Sequence, residues 1–375
     1  MLESQDAPKH VPAETSETNL LERAITKMGN LLQVGFGTSG AEIIAKSLRV
    51  DGELDPMVPG TRVHAIFGFC NIRNFLTVTE YLQEDIILFI NKLAKITHDH
   101  VVNSRGNPNK NTGNSFLLLW KLNSTDGKRD RLEKHLFDSA LTCIQSIITD
   151  LKEIGPITQF SRKENVRKSN PNMTIEMTFG LHSGWAIEGS IGSRVKVDAS
   201  YVSPHVNLAS QLEIATKNYN VPLLMSHAFV SGLTGSLQST CRRVDQIVLT
   251  DSHDSMTIFH HDIEPFQSLQ NKPNDYSDLI LATSWKNKEE VIGEGINITE
   301  IITSLQSDKT LLIREVYDAA FNSYIDGNWK KCKILLHLWL EKFPGDVLVQ
   351  NLIRYLIRHD FICPDEWNGT EICSQ

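Results

Sequence analysis

Several clusters in this chain hold residue types that could do chemistry. His98 and His100 flank Asp99 near a helix end, and His260-His261-Asp262 closes a strand. Imidazoles and carboxylates are common ligands of zinc. The plainer reading, polar groups at the surface, is preferred for both clusters. His182 beside Ser183 has the types of a base and a nucleophile, but strand neighbours point to opposite faces, so these two do not form such a pair. Gly35-Phe36-Gly37-Thr38-Ser39-Gly40 matches GxGxxG. A dinucleotide fingerprint needs a strand before it and an acidic residue ending a second strand about 20 residues on. Here a helical pattern precedes it and residues 51–60 read as a loop, which excludes the dinucleotide reading. Residues 161–172 gather Arg162, Lys163, Arg167 and Lys168, which read as a solvated insertion rather than a nucleic-acid patch.

The whole chain narrows the chemistry further. Its 375 residues carry 37 Lys and Arg against 45 Asp and Glu, a formal charge of −8. That balance argues against nucleic acid as the main partner, because tracking phosphates needs a basic face. No apolar run approaches the ~18 residues of a membrane span. The first residues lack the basic and apolar regions of a secretory signal. The six cysteines stand far apart with no CxxC, against both a disulfide scaffold and a zinc ribbon. An intracellular, soluble protein is expected.

The elements that must position any site follow from periodicity. Residues 1–18 read as a disordered lead. Residues 19–60 form a helical segment and loop, with Leu21, Ala24, Met28 and Leu31 on one side of the helix. That face suits either a short dimerisation helix or packing on its own domain. Residues 61–264 read as one α/β domain: strands at 63–69 and 115–120, a helix over 80–98, a turn over 103–114 and a helix over 131–154. A strand follows at 174–180, then turns and a hairpin marked by Gly180, Gly184, Gly189 and Gly192, a helix over 206–218, a short strand at 221–225 and a closing hairpin. The order β-α-β-(β)-α-β predicts a ferredoxin-like α/β sandwich. Residues 265–308 read as a linker. Residues 309–375 form a helical extension in which Ala320, Tyr324, Trp329, Leu336 and Trp339 fit one tetratricopeptide-like hairpin. A single such unit cannot bury its own apolar face, so it should dock on something.

Three stretches, in order, resemble the catalytic domain of class III adenylyl and guanylyl cyclases. Phe67-Gly68-Phe69-Cys70-Asn71-Ile72-Arg73-Asn74-Phe75 is similar to the strand motif D-I-x-x-F. Lys110-Asn111-Thr112-Gly113-Asn114-Ser115-Phe116 is similar to K-x-I-G-D-A-F. Gly180-Leu181-His182-Ser183-Gly184, continuing to Val206-Asn207-Leu208-Ala209-Ser210-Gln211, is similar to G-I-H-x-G and V-N-x-A-S-R. The helical tail and its Pro364-x-x-Trp367-x-Gly369 resemble large protist cyclases, an association that implies a ciliary setting.

The resemblance implies a reaction joining the 3′-oxygen of a nucleoside triphosphate to its α-phosphorus, with two Mg²⁺ or Mn²⁺ ions held by an Asp from each of the first two motifs. Those positions carry Asn71 and Asn114. An amide copies a carboxylate's shape without its charge, so it does not balance a dication. The position of the Arg that stabilises phosphate charge carries Gln211, which has no positive charge and no rigid fork of donors. Glu80, Glu84 and Asp85 are expected on the following helix, too remote to substitute. The implied nucleotide contacts that remain are Lys110, Ser200 and Asn207, with Asp198 two residues from Ser200; a lysine at 110 favours adenine over guanine. The alternative is a solvated lysine and an asparagine bracing a helix. The expectation is a cyclase-homology protein with no catalytic residues and no metal cofactor. It would act as a scaffold or regulatory subunit beside another cyclase-homology chain or other subunits, with residual ATP or GTP at most. The competing expectation is the non-metal half of a heterodimeric cyclase.

Overall fold

The apolar run at Val63 extends in both directions to give β1 (Thr61–Ile72), whose Ala65, Ile66, Phe67 and Cys70 are all buried. Burial on both faces of one strand marks the centre of a covered sheet. The computed structural model describes residues 13–47, 57–122, 131–154, 160, 174–193, 195–248, 255–262, 297–306 and 310–372. β1 lies antiparallel between β3 (Ser115–Leu122) and β4 (Met177–Gly192), and β2 (Asn107–Thr112) edges β3. β5 (Val197–Val202) folds back on β4, and β6 (Leu223–Ser226) runs parallel to β4. The hairpin of β7 (Cys241–Val248) and β8 (Ser255–His261) continues the sheet from β6. A short β9 (Glu371–Ile372) from the tail pairs in parallel with Ile247 and Val248. The described strands therefore form one nine-stranded sheet, β2-β3-β1-β4-β6-β8-β7-β9, with β5 on β4.

Helices cover both faces. On one lie α2 (Phe75–Leu82), a 3₁₀ turn over Gln83–Asp85, α3 (Ile86–Asn103) and α4 (Arg131–Glu153). There Phe89, Leu93, Phe137 and Ile144 bury Ile66, Phe116, Trp120 and Phe179. The other face takes α5 (Pro204–Tyr219) and the C-terminal part of α1 (Ala13–Lys46), which close Ala65, Phe67, Ala186 and Tyr201. The alternation β1, α2/α3, β2, β3, α4, β4 is the α/β sandwich expected from the sequence.

Several local expectations change. The turn over 103–114 contains β2, an edge strand; an edge needs hydrogen bonds on one side only, so Pro108 and three asparagines fit there. The helix over 80–98 is two helices, parted at Gln83 with its φ of 51°. The hairpin expected in the glycine-rich stretch is present, with Gly192 at φ 149° closing it where β4 meets β5, but Gly180, Gly184 and Gly189 do not mark turns. β4 runs straight through Gly180 and Gly184, where any Cβ would enter the backbone of α5 or the ring of His205. The described helix α1 begins at Ala13, inside the stretch expected to be disordered, and residues 1–12 lie outside the described residues. The basic loop 161–172 also lies outside them.

Two short helices, α6 (His227–Val230) and α7 (Gly235–Gln238), lie between β6 and β7. In the stretch expected as a linker, residues 263–296 lie outside the described residues, and 298–306 form α8 (Ile298–Gln306). Then come α9 (Thr310–Ile325), α10 (Trp329–Lys342) and α11 (Val347–Arg358). This helical unit docks on the chain's own sheet. Buried Arg242 of β7 donates to Asp346 Oδ2 at 2.6 Å, Tyr317 OH donates to Arg243 O at 2.6 Å, and Asn351 Nδ2 donates to Tyr219 O at 2.5 Å. Asp346 also accepts from Trp339 Nε1 and caps α11 through Leu348 N and Val349 N.

Candidate functional site

Strand alternation places Asn71 on the α5 face of β1, in register with Ser115 on β3 and Thr178 on β4. Asn114 immediately precedes β3, and its backbone carbonyl accepts from Ile72 N at 2.9 Å, which brings the two motifs together. The two side chains then close on each other. Asn114 Nδ2 donates to Asn71 Oδ1 at 2.5 Å. Two carboxylates do not approach so closely without a proton or cation between them, whereas two amides do so as donor and acceptor.

The other end of Asn71 is also engaged. It hydrogen-bonds Glu213 of α5, whose Oε1 accepts from Thr178 Oγ1 at 2.5 Å. Glu213 is an acid that sequence reasoning missed. Glu80, Glu84 and Asp85 lie on α2 and the 3₁₀ turn as expected, but this carboxylate arrives from a helix more than 140 residues away in sequence. Burial pushes the Glu213 carboxyl above its ordinary pKa, against the opposing pull of Thr178, Asn71 and the charge of Arg73. Arg73 Nη1 donates to Glu176 Oε2 at 3.1 Å and to Asn220 Oδ1 at 3.4 Å. The signal for Glu213 was slight: it stands two residues beyond Gln211 on a helix whose inward face carries Ala209 and Leu212.

This donor set does not fit a pair of hard dications. Mg²⁺ prefers anionic oxygens, and the two amides present no charge while each occupies the other. Among the described residues no group of three or more His, Cys, Asp or Glu side chains is arranged to hold a metal.

The nucleotide-contact candidates are scattered more widely. Lys110 is exposed on β2 and lines a groove of about 940 Å³. Asp198 lies on the same groove, paired with Lys196 at 3.3 Å. Ser200, half-buried on β5 opposite Gly189, is not among the groove's lining residues. Asn207 is exposed on the first turns of α5, and Gln211 is half-buried one turn further on.

The histidines behave differently from their surface reading. His98 bonds Asn111 Oδ1 at 3.2 Å and His100 bonds Asp150 Oδ2 at 2.7 Å, on separate partners. His260 and His261 are both 7% exposed, which corrects the surface assignment: β8 is an interior strand. His260 Nδ1 meets Leu223 O, while His261 meets Gln145 and Thr240. His182 bonds Ser226 Oγ at 2.7 Å and His205 Nδ1 at 2.8 Å, and Ser183 turns away to donate to Ala228 O. Burial drives His182 down to about 3, so it stays neutral.

Comparison with known proteins places this fold. The adenylate cyclase of Anabaena cylindrica is 21% identical over 188 residues, covering 50% of this chain and 34% of its own length. Adenylate cyclase 1 of Rhizobium meliloti is 23% identical over 164 residues, covering 44% and 22%. The structure of a bacterial light-regulated adenylyl cyclase superposes with a TM-score of 0.50 at 19% identity, over 68% of this chain and 66% of that one. A family profile described as "RasGEFs all helical domain" matches residues 2–49. The chain thus carries a class III adenylyl/guanylyl cyclase-homology domain. It spans about a third or less of the length of these two curated relatives. No described helix is long and apolar enough to cross a membrane.

Proposed function

We propose that this chain is a cyclase-homology protein that does not make cyclic nucleotide by itself. It works instead as a scaffold or regulatory subunit, contacting another cyclase-homology chain or other subunits of a larger assembly. The observation that carries this reading is the 2.5 Å hydrogen bond from Asn114 to Asn71. Neutral groups that satisfy each other offer little to a dication, whose dehydration must be offset by anionic ligands. Gln211 removes a third electrostatic component, the cation that would meet developing phosphate charge. The resemblance to protist cyclases suggests a ciliary assembly as the setting. The experiment is purified chain with ATP or GTP and Mg²⁺ or Mn²⁺: no cyclic nucleotide above background is expected, and turnover by the chain alone overturns the reading.

A second reading has a specific observation behind it. Lys110 and Asp198 face one groove, which is what the non-metal half of a heterodimeric cyclase needs for a base. Gln211 counts against that reading. Co-expression with a cyclase domain that keeps both metal carboxylates separates the two: the heterodimer reading requires activity that depends on this chain and falls with Lys110→Ala.

A further inference from the structure

The groove at Lys110 has a wall that the sheet does not supply. Residues 33–37 of α1 line it together with Arg105, Lys110, Lys196 and Asp198. Three positive side chains thus stand against one carboxylate, which Lys196 already pairs. Burial holds His98 on the neutral side, bonded to Asn111. Val34 and Pro108 add apolar surface. Such a lining suits an anion with several charged oxygens better than a cation or a neutral sugar.

α1 behaves as two rods. Gly37, at φ 70° and ψ 171°, interrupts it, and a Cβ there would meet the Pro108 carbonyl oxygen of β2 at 3.0 Å. Beyond the break the helix is fixed: Ile43 and Ile44 are buried, Ser47 Oγ lies 2.7 Å from Ser190 Oγ, and Lys46 Nζ lies 3.5 Å from the buried Glu188. Before the break Leu20, Leu21, Ile25, Met28 and Leu31 are 60–77% exposed. Rotation about Gly37 therefore moves the groove wall while leaving the sheet's packing alone.

We infer that α1 is a hinged wall of the Lys110 groove, held in its bent position by a polyphosphate-bearing anion bound there. The inference rests on the reading that this groove takes a ligand. By linkage, whatever captures the apolar arm 19–36 changes the groove's affinity, and the ligand changes the arm's availability in return.

Hydrogen exchange on the full chain tests it, with ATP, GTP and inorganic tripolyphosphate as probes and no divalent cation. Exchange should slow several-fold at 33–37 together with 105–111, with 43–47 unchanged. Protection by all three probes assigns recognition to the phosphates; protection by the nucleotides alone assigns it to the base as well, and either supports the hinge. Lys110→Ala should weaken binding about tenfold. Gly37→Ala disfavours the bent backbone, so it should lower affinity and uncouple 33–37 while exchange in β1 and β3 stays native. If none of the three probes binds by calorimetry, the groove has no such ligand and the inference falls with it. If a probe protects 105–111 but not 33–37, the groove stands and the hinge is overturned.

Discussion

Restoring carboxylates at both amide positions gives the sharpest test of the electrostatic reasoning. Asn71→Asp with Asn114→Asp replaces a 2.5 Å donor–acceptor pair by two anions, beside a third carboxylate, Glu213. Relaxed to a separation of about 4 Å at an effective dielectric near 20, two unit charges repel by about 4 kcal/mol. Loss of the amide hydrogen bond adds about 1 kcal/mol. Protonation of one carboxylate relieves part of this at a lower pH. In chelator at neutral pH the double variant should therefore melt on the order of 10 °C below the parent, taking about 2–4 °C per kcal/mol for a domain of this size.

The same three carboxylates now form an anionic oxygen cluster, so Mn²⁺ or Mg²⁺ should return much of the loss. A free ion at about 100 times its Kd contributes about 2.7 kcal/mol. Thermal unfolding with EDTA and with 10 mM-scale divalent ion reads this directly, with the parent chain in parallel. The parent should be indifferent to the ion. The reasoning is refuted if the parent is itself stabilised by Mn²⁺, or if the double variant melts as the parent does in EDTA. Cyclic nucleotide is not expected from the double variant, since Gln211 still leaves phosphate charge unmet.

Other expectations follow from the same network and its surroundings. Glu213 has its folded pKa raised, so its stabilising contribution is greatest below its unfolded value and fades as pH climbs through the folded one. Glu213→Gln should accordingly melt at or above the parent near pH 8 and below it near pH 4, and a pH-independent difference in melting temperature would contradict this. His182 is depressed to about 3, so the parent loses stability as pH falls from about 6.5 toward 3, with a slope near 1.4 kcal/mol per unit from that proton. His182→Gln should flatten that part of a denaturant-midpoint profile. Asp346→Ala removes one of the two carboxylates on buried Arg242, leaving Asp262 at 2.6 Å, and removes the α11 cap. A loss of about 2–5 kcal/mol in chemical unfolding is expected from one charge-assisted bond and one helix cap, and a loss under about 1 kcal/mol would show that the helical unit does not depend on this ion pair.

What the sequence made legible tracks the range of the interactions concerned. β1, β3 and α4 are set by local periodicity: an apolar run buried on both faces, or a repeat near 3.6, needs no partner to be read. β2 was hidden because an edge strand can be almost wholly polar, and Asn-Pro-Asn-Lys-Asn spells a turn when the adjoining β3 is out of view. Gly180 and Gly184 in β4 misled for the converse reason. Gly180 and Gly184 are small because α5 and His205 press on them, and that approach is a tertiary fact. His260 and His261 looked superficial because the neighbours that bury them come from distant strands and from α4. The motif positions Asn71, Asn114 and Gln211 were readable as amides. Their mutual bond was not, because it depends on register between β1 and the start of β3.

The separation of core from site lets residues 71 and 114 vary without cost to the main packing. Ile66, Phe116, Trp120 and Phe179 are buried on the α3/α4 face, while Asn71 and Glu213 sit under α5 on the other. Changes at residue 71 or 114 therefore leave the main packing untouched. A metal-free pair of carboxylates there is a source of repulsion that the core must overcome, whereas an amide pair adds a bond at no Coulombic cost. Metal binding and apo stability pull these two positions in opposite directions. The observed amide pair lies at the apo-stability end of that trade.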